Sequence, residues 1–256
     1  AACLAGVVSL EDALRIVSAR GSLMQQLPRG SMLAVPMTEE ELAPHLEGEL
    51  DLAVQNAPKA LIVSGADAAI QELQDRLEKR QVPSRPLRTS HAFHSHMMEP
   101  ILDPFTRTFS EIDLHPPRIP FVSNLTGEWI TAAQATDPSY WAKHLRSTVR
   151  FCDGLSFLLK QAHYTLLEIG PGGTLNGLAR ANPARKAEQP SFASLDRERQ
   201  KQADQEFLLN TLGDLWLAGV PIDWAGFFAR EHRCRIPLPT YPFQRNRYWI
   251  DPPSPS

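Results

Sequence analysis

Residues 30–92 constrain the fold more tightly than any other stretch. Residues 31–36 form a short β-rich run, and Thr38, followed by Glu39, Glu40 and Glu41, caps a short acidic helix that reaches Leu46. Residues 50–55 alternate as a strand does, and 60–64 form a second β-rich run that stops at Gly65. Asp67 opens a helix that stacks Ile70, Leu73 and Leu77 on one face, and residues 83–89 are extended after Pro83. The resulting order, βαββαβ, is the ferredoxin-like arrangement.

The flanks read as layered α/β structure. Residues 1–27 are helical in two pieces: a small apolar piece over 1–8, then a helix capped by Ser9 with Asp12 at the third position. The N-terminus has no basic lead and no initiator Met, so it reads as the inside of a helix. Residues 97–111 predict a helix burying Ile101, Leu102, Phe105 and Phe109, and 119–122 a short strand. Helices are expected over 138–145, 149–162 and 201–217. A buried strand over 165–169, a glycine turn and a helix over 175–181 complete the α/β pattern. Residues 183–199 turn polar, 237–249 mix prolines with aromatics, and 252–256 are linker-like.

Composition excludes several classes. The 256 residues suffice for one large or two small domains, and 43% apolar content is ordinary for a buried core. A formal net charge of -3 fits neither nucleic acid nor an anionic membrane. No apolar stretch approaches the ~18 residues of a membrane span. Cys3, Cys152 and Cys234 are scattered without a CxxC, as expected of free thiols in a reducing cytoplasm.

Chemistry concentrates in Ser90-His-Ala-Phe-His-Ser-His-Met-Met-Glu-Pro100, where His91, His94 and His96 fall close together. Imidazole titrates near neutrality, so a general base is one reading. A metal site is another, although no nearby cysteine or paired carboxylate supplies the remaining ligands. A solvated or structural histidine cluster is a third.

This segment resembles the His-Ala-Phe-His motif of polyketide synthase acyltransferases. The resemblance makes His94 the catalytic base and puts His91 and Phe93 in the wall of the acyl pocket. It also implies a preference for malonyl units, because Phe93 fills the space that a methyl branch needs. One methyl is worth only about 1–3 kcal/mol, so this is a preference and not a filter. Ser18-Ala-Arg-Gly-Ser-Leu-Met-Gln25 resembles the segment whose arginine, here Arg20, grips the free malonyl carboxylate through a planar fork. Trp141-Ala-Lys-His-Leu-Arg-Ser-Thr-Val-Arg-Phe151 resembles the segment whose main-chain carbonyl orients the base, at a position occupied by His144. Val122-Ser-Asn124 resembles a strand end at the pocket, which gives Asn124 a supporting role. Leu167-Glu-Ile-Gly-Pro-Gly172 resembles a structural strand and turn, and Tyr241-Pro-Phe-Gln-Arg-Asn-Arg-Tyr-Trp249 a linker that follows the acyltransferase and docks on its neighbours.

The resemblance covers nearly the whole chain. It implies an α/β-hydrolase-like acyltransferase core, present in part over 1–189, with the ferredoxin-like subdomain inserted at 28–92 and a linker over 190–256. The implied reaction is ping-pong transfer from malonyl-CoA to the phosphopantetheine thiol of an acyl carrier protein, with no metal and no bound cofactor. Neighbouring ketosynthase and downstream synthase domains are the implied partners. The family's nucleophile lies in Gly-His-Ser-x-Gly, and no GxSxG occurs here. By analogy that serine would sit about six residues ahead of Ala1. This chain alone is therefore expected not to load an acyl group. Two other readings are a non-catalytic docking fragment and a malonyl transferase of fatty-acid synthesis.

Overall fold

Leu33 and Val35 on strand β1 (Ser31–Val35) and Leu61 and Val63 on β3 (Ala60–Gly65) project to one face of a four-stranded sheet. The period-two alternation puts them on one side, and they bury against Ile70, Leu73 and Leu77 of a long helix. Each such side chain stabilises by about 1.5–3 kcal/mol relative to exposure. The computed structural model describes residues 1–195, 203–231, 234 and 236–246.

In chain order the elements begin with helix α1 (Leu10–Gln25), β1, α2 (Glu39–Leu42), β2 (Leu50–Ala57), β3, α3 (Asp67–Lys79) and β4 (Arg85–Pro86). The sheet order is β2-β3-β1-β4, and every neighbouring pair is antiparallel. Ser9 caps α1 by accepting from the Asp12 N–H at 3.0 Å. Thr38 and Glu41 form a reciprocal capping box on α2. The acidic helix is shorter than expected. It passes into a 3-10 turn over Ala43–His45, where Pro44 has no N–H to continue an α-helix.

A second layer holds α4 (Leu102–Arg107), α5 (Ala132–Ala135), α6 (Pro138–Arg146) and α7 (Phe151–Gln161). Met24 and Leu27, at the end of α1 and just beyond it, pack with Met98, Ile101 and Phe105 and with Leu145 of α6. Beyond α7 come β5 (Leu166–Pro171), α8 (Thr174–Ala181), β6 (Ser191–Leu195), α9 (Asp204–Leu217) and α10 (Trp224–Phe227). Strands β5 and β6 pair in parallel. Across position 189, Gln189 Nε2 donates to the Leu159 carbonyl at 3.1 Å, and Thr211 of α9 donates to the Ala193 carbonyl at 2.9 Å.

Several elements differ from their sequence expectation. Residues 1–8 form turns and not a helix, because Gly6 sits at a φ of +78° that breaks the helical path. The single helix expected over 97–111 is a 3-10 turn at His96–Ile101 followed by α4, with Pro100 and Pro104 each removing an N–H donor. The strand expected at 119–122 reduces to one bridge, Val122 with Trp129, within a local turn. Strand β5 is not buried on both faces: it alternates, and Ile169 is 83% exposed. Of the helix expected over 201–217, residues 201 and 202 lie outside the described residues, as do 196–199 of the polar stretch. The tail over 236–246 has no regular structure. Arg247, Tyr248, Trp249 and residues 252–256 lie outside the described residues.

Candidate active site

The segment after β4 turns sharply at His94, whose φ of 58° is left-handed. A side chain in that region costs on the order of 1 kcal/mol, so neighbouring contacts must hold it. Buried Ser95 donates to the Ala92 carbonyl at 2.6 Å and accepts the Met97 N–H at 3.2 Å, capping the 3-10 turn. Gly30 lies so close that a Cβ there would meet the Ala92 Cβ at 2.7 Å.

His94 Nδ1 lies 3.0 Å from the Ser147 carbonyl oxygen. A carbonyl can only accept, so Nδ1 carries the hydrogen and Nε2 keeps its lone pair. Burial lowers the His94 pKa and the Arg20 charge adds to this; the carbonyls of Ser147 and His144 partly oppose it. At neutral pH the ring is therefore a neutral base. His144 stands edge-on to it, with ring centroids 6.1 Å apart and planes at 79°. Burial, then the charges of His94 and Arg20, push His144 down to about 4.

Arg20 projects from α1. Burial lowers its pKa, and no neighbouring acid offsets that shift. It stays cationic, since the guanidinium begins near 12.5. Among the described residues no carboxylate forms an ion pair with it. A cavity of about 280 Å³ opens beside it, lined by Ile16, Val17, Phe105, Trp141 and His144. An apolar pocket lined by a partly desolvated cation that has no acid partner among the described residues suits a small anionic acyl group. A larger open cleft, about 460 Å³, lies along β1 and β3 against Leu178 and carries Lys59 and Arg85 but no histidine.

The structure thus brings His94, His144 and Arg20 together. His91 is buried on the preceding turn, with Nδ1 2.8 Å from Ser90 Oγ. Phe93 is 6.1 Å from His91, ring to ring, and packs on the Met24–Phe105 cluster. Asn124 is exposed in a turn and does not line this cavity; its carbonyl accepts the Arg150 N–H at 2.8 Å. The three clustered histidines diverge: His91 meets Ser90, His94 meets Ser147, and His96 meets Asp51. Among the described residues no group of three or more His, Cys, Asp or Glu has metal-holding geometry. No helix among them is long and apolar enough to cross a membrane.

Sequence reasoning missed three contributors. The Ser147 carbonyl gives no side-chain signal at all. Asp51, which pairs with both His96 and Arg146, had one available clue: an acid inside the apolar alternation of Leu50 and Leu52.

The acyl transferase domain family matches residues 1–221. The mycoketide-CoA synthase of Mycobacterium tuberculosis is 36% identical over 252 residues, 98% of this chain but 6% of that protein. The spectinabilin polyketide synthase system protein NorB of Streptomyces orinoci is 40% identical over 252 residues, 97% of this chain and 12% of that protein. The chain thus spans a small part of the length of these relatives. The solved acyltransferase domain from the second module of the salinomycin polyketide synthase superposes with a TM-score of 0.84 at 41% identity, over 94% of this chain and 56% of that one. The malonyl CoA-acyl carrier protein transacylase of Clostridium perfringens, 21% identical with a TM-score of 0.73 over 85% of this chain and 69% of that one, shares the α/β fold. With a family match over most of its length and relatives of this identity covering nearly all of it, the chain belongs to the acyl transferase domain family, alongside the acyltransferase domains of polyketide synthases.

Proposed function

We propose that this chain carries the base and the carboxylate clamp of a malonyl-selective acyl transfer to a carrier-protein thiol. The observation that carries the reading is a partly buried Arg20 cation, without a carboxylate partner among the described residues, near a neutral His94 whose Nδ1 meets the Ser147 carbonyl. A cation without a partner in a half-dry pocket favours a dicarboxylic acyl group, whose free carboxylate supplies the missing charge.

His94 Nε2 removes the proton of a serine hydroxyl as its oxygen attacks the thioester carbonyl. The carbon–sulfur bond breaks, and His94 returns the proton to the departing CoA thiolate. The phosphopantetheine thiol then attacks the serine ester, His94 takes its proton and restores the serine. Arg20 holds the malonyl carboxylate through both halves. His144 contributes its backbone carbonyl beside that of Ser147. We read His91 and Phe93 as the wall that disfavours a branched acyl group on the resemblance of their motif; neither lines the cavity beside Arg20.

The serine belongs to no GxSxG pattern within these 256 residues, so we read the chain alone as unable to form the acyl-enzyme. We likewise read 28–92 as a ferredoxin-like subdomain, which the β2-β3-β1-β4 order supports, within an acyltransferase unit over 1–189 and a linker over 190–256. The partners follow as malonyl-CoA, an acyl carrier protein and adjoining synthase domains.

The test is competition between malonyl-CoA, methylmalonyl-CoA and acetyl-CoA in a chimera that joins a family Gly-His-Ser-x-Gly segment ahead of Ala1. Malonyl should win. Arg20→Ala should abolish the advantage over acetyl, and Phe93→Ser should raise relative methylmalonyl use by up to about 10–200-fold. A chimera in which Arg20→Ala leaves the malonyl-to-acetyl ratio intact sinks the clamp.

A further inference from the structure

Strand β2 is an edge of the small sheet, and residues 146–150 run along it as an extra partner. Val149 bridges Val54 in parallel; Val149 N–H donates to the Ala53 carbonyl at 2.8 Å and Gln55 N–H to the Val149 carbonyl at 2.9 Å. Thr148 Oγ1 donates to the Leu52 carbonyl at 2.6 Å. Ser147, whose carbonyl meets His94, is therefore carried on the rim of the small subdomain.

One side chain ties that rim to the base. Asp51 of β2 accepts the His96 backbone N–H at 2.8 Å and the His96 Nδ1–H at 2.7 Å, both on Oδ2. Its Oδ1 accepts from Arg146 Nη1 at 3.0 Å, while Arg146 Nε donates to Glu99 at 3.1 Å. The carboxylate is only 20% exposed. Burial alone would raise its pKa, but the His96 bonds and the Arg146 charge outweigh that and hold it below its usual range. His96 lies two residues after His94, and Arg146 one residue before Ser147. A single carboxylate thus anchors both sides of the His94–Ser147 hydrogen bond, next to a turn that the backbone would otherwise relax.

We infer that Asp51 is a positioning residue: through His96 and Arg146 it locks the His94 imidazole against the Ser147 carbonyl and so fixes its tautomer. The catalytic consequence rests on the acyl-transfer reading above; the positioning itself does not.

A tie at the same interface provides the control. Glu39 accepts from Arg150 Nη1 at 2.9 Å and from Gln55 Nε2 at 2.7 Å, joining β2 to the start of α7 without touching the His94 turn. The experiment measures the His94 ring nitrogens by two-dimensional 15N NMR near neutral pH in the full chain, with thermal melts alongside. Wild type should show Nδ1 protonated and Nε2 bare. Asp51→Ala should cut the Nδ1–H preference several-fold. Asp51→Asn, which keeps an acceptor for the His96 N–H, should give a smaller shift of the same sign and preserves the test where alanine unfolds the chain. Glu39→Ala should lower the melting temperature and leave the His94 pattern unchanged. An unaltered His94 pattern in folded Asp51→Asn and Asp51→Ala overturns the inference, as does an equal shift in Glu39→Ala. In the chimera, Asp51→Asn should lower kcat about 10-fold with little change in KM for malonyl-CoA. A tautomer shift in a chimera that transfers no acyl group at all leaves the positioning role standing and removes the acyl-transfer reading.

Discussion

His94 takes a left-handed backbone conformation that glycine adopts most easily, and its Nδ1 meets the Ser147 carbonyl. On the acyl-transfer reading, replacing it with alanine removes the base. In the chimera, His94→Ala should lower acyl loading by about 10²–10⁴-fold, read from single-turnover rates. Because burial and Arg20 hold its pKa below 6.5, the acid limb of the rate profile should fall below the pH at which a free histidine titrates. His144 gives a stability counterpart. Its pKa drops from 6.5 to about 4 on folding, so the folded chain binds fewer protons in that window. Its contribution is fully present above about pH 6.5 and is lost as the pH falls toward 4. After allowance for solvent screening, about 1 kcal/mol should disappear between pH 7 and pH 5. Denaturant melts at the two pH values should show this loss, and His144→Asn should flatten it.

Between α1 and β1 the chain passes Gly30, which packs directly on Ala92 in the segment leading to His94. Gly30→Ala should destabilise by about 1–3 kcal/mol through overpacking and displace that segment, measured as a lower midpoint in urea. In the small sheet, Leu73→Ala should cost about 2–5 kcal/mol, because α3 buries this side chain fully against β1 and β3. Elements with local signals were legible in the sequence. Ser9 and Thr38 announced their helices through capping, and Ile70, Leu73 and Leu77 through spacing. Elements set by their surroundings were not. The proline pair at 100 and 104 split a helix that the apolar spacing alone favoured. A strand at 119–122 needs a neighbour to pair with and finds only Trp129. The openness of β5 depends on what packs above it, which no periodicity records.

Across the whole molecule, the candidate site forms where the helical layer meets the edge of the small sheet. Arg20, His94 and His144 come from three distant stretches, each singled out in the sequence by its own motif, and the fold brings them together. Ser147, Asp51 and Arg146 were not singled out, because their contribution is contact geometry across as many as 95 positions of sequence. The same view shows an apolar stripe of Leu10, Leu14 and Val17 on α1, each more than half exposed. Exposed apolar stripes of this kind mark contact surfaces. The most direct test of the acyl-transfer reading is intact mass after incubation with malonyl-CoA, for this chain and for the Gly-His-Ser-x-Gly chimera side by side. A malonyl adduct is expected on the chimera and none on the chain alone. An adduct on the chain alone, or none on a folded chimera, would contradict that reading.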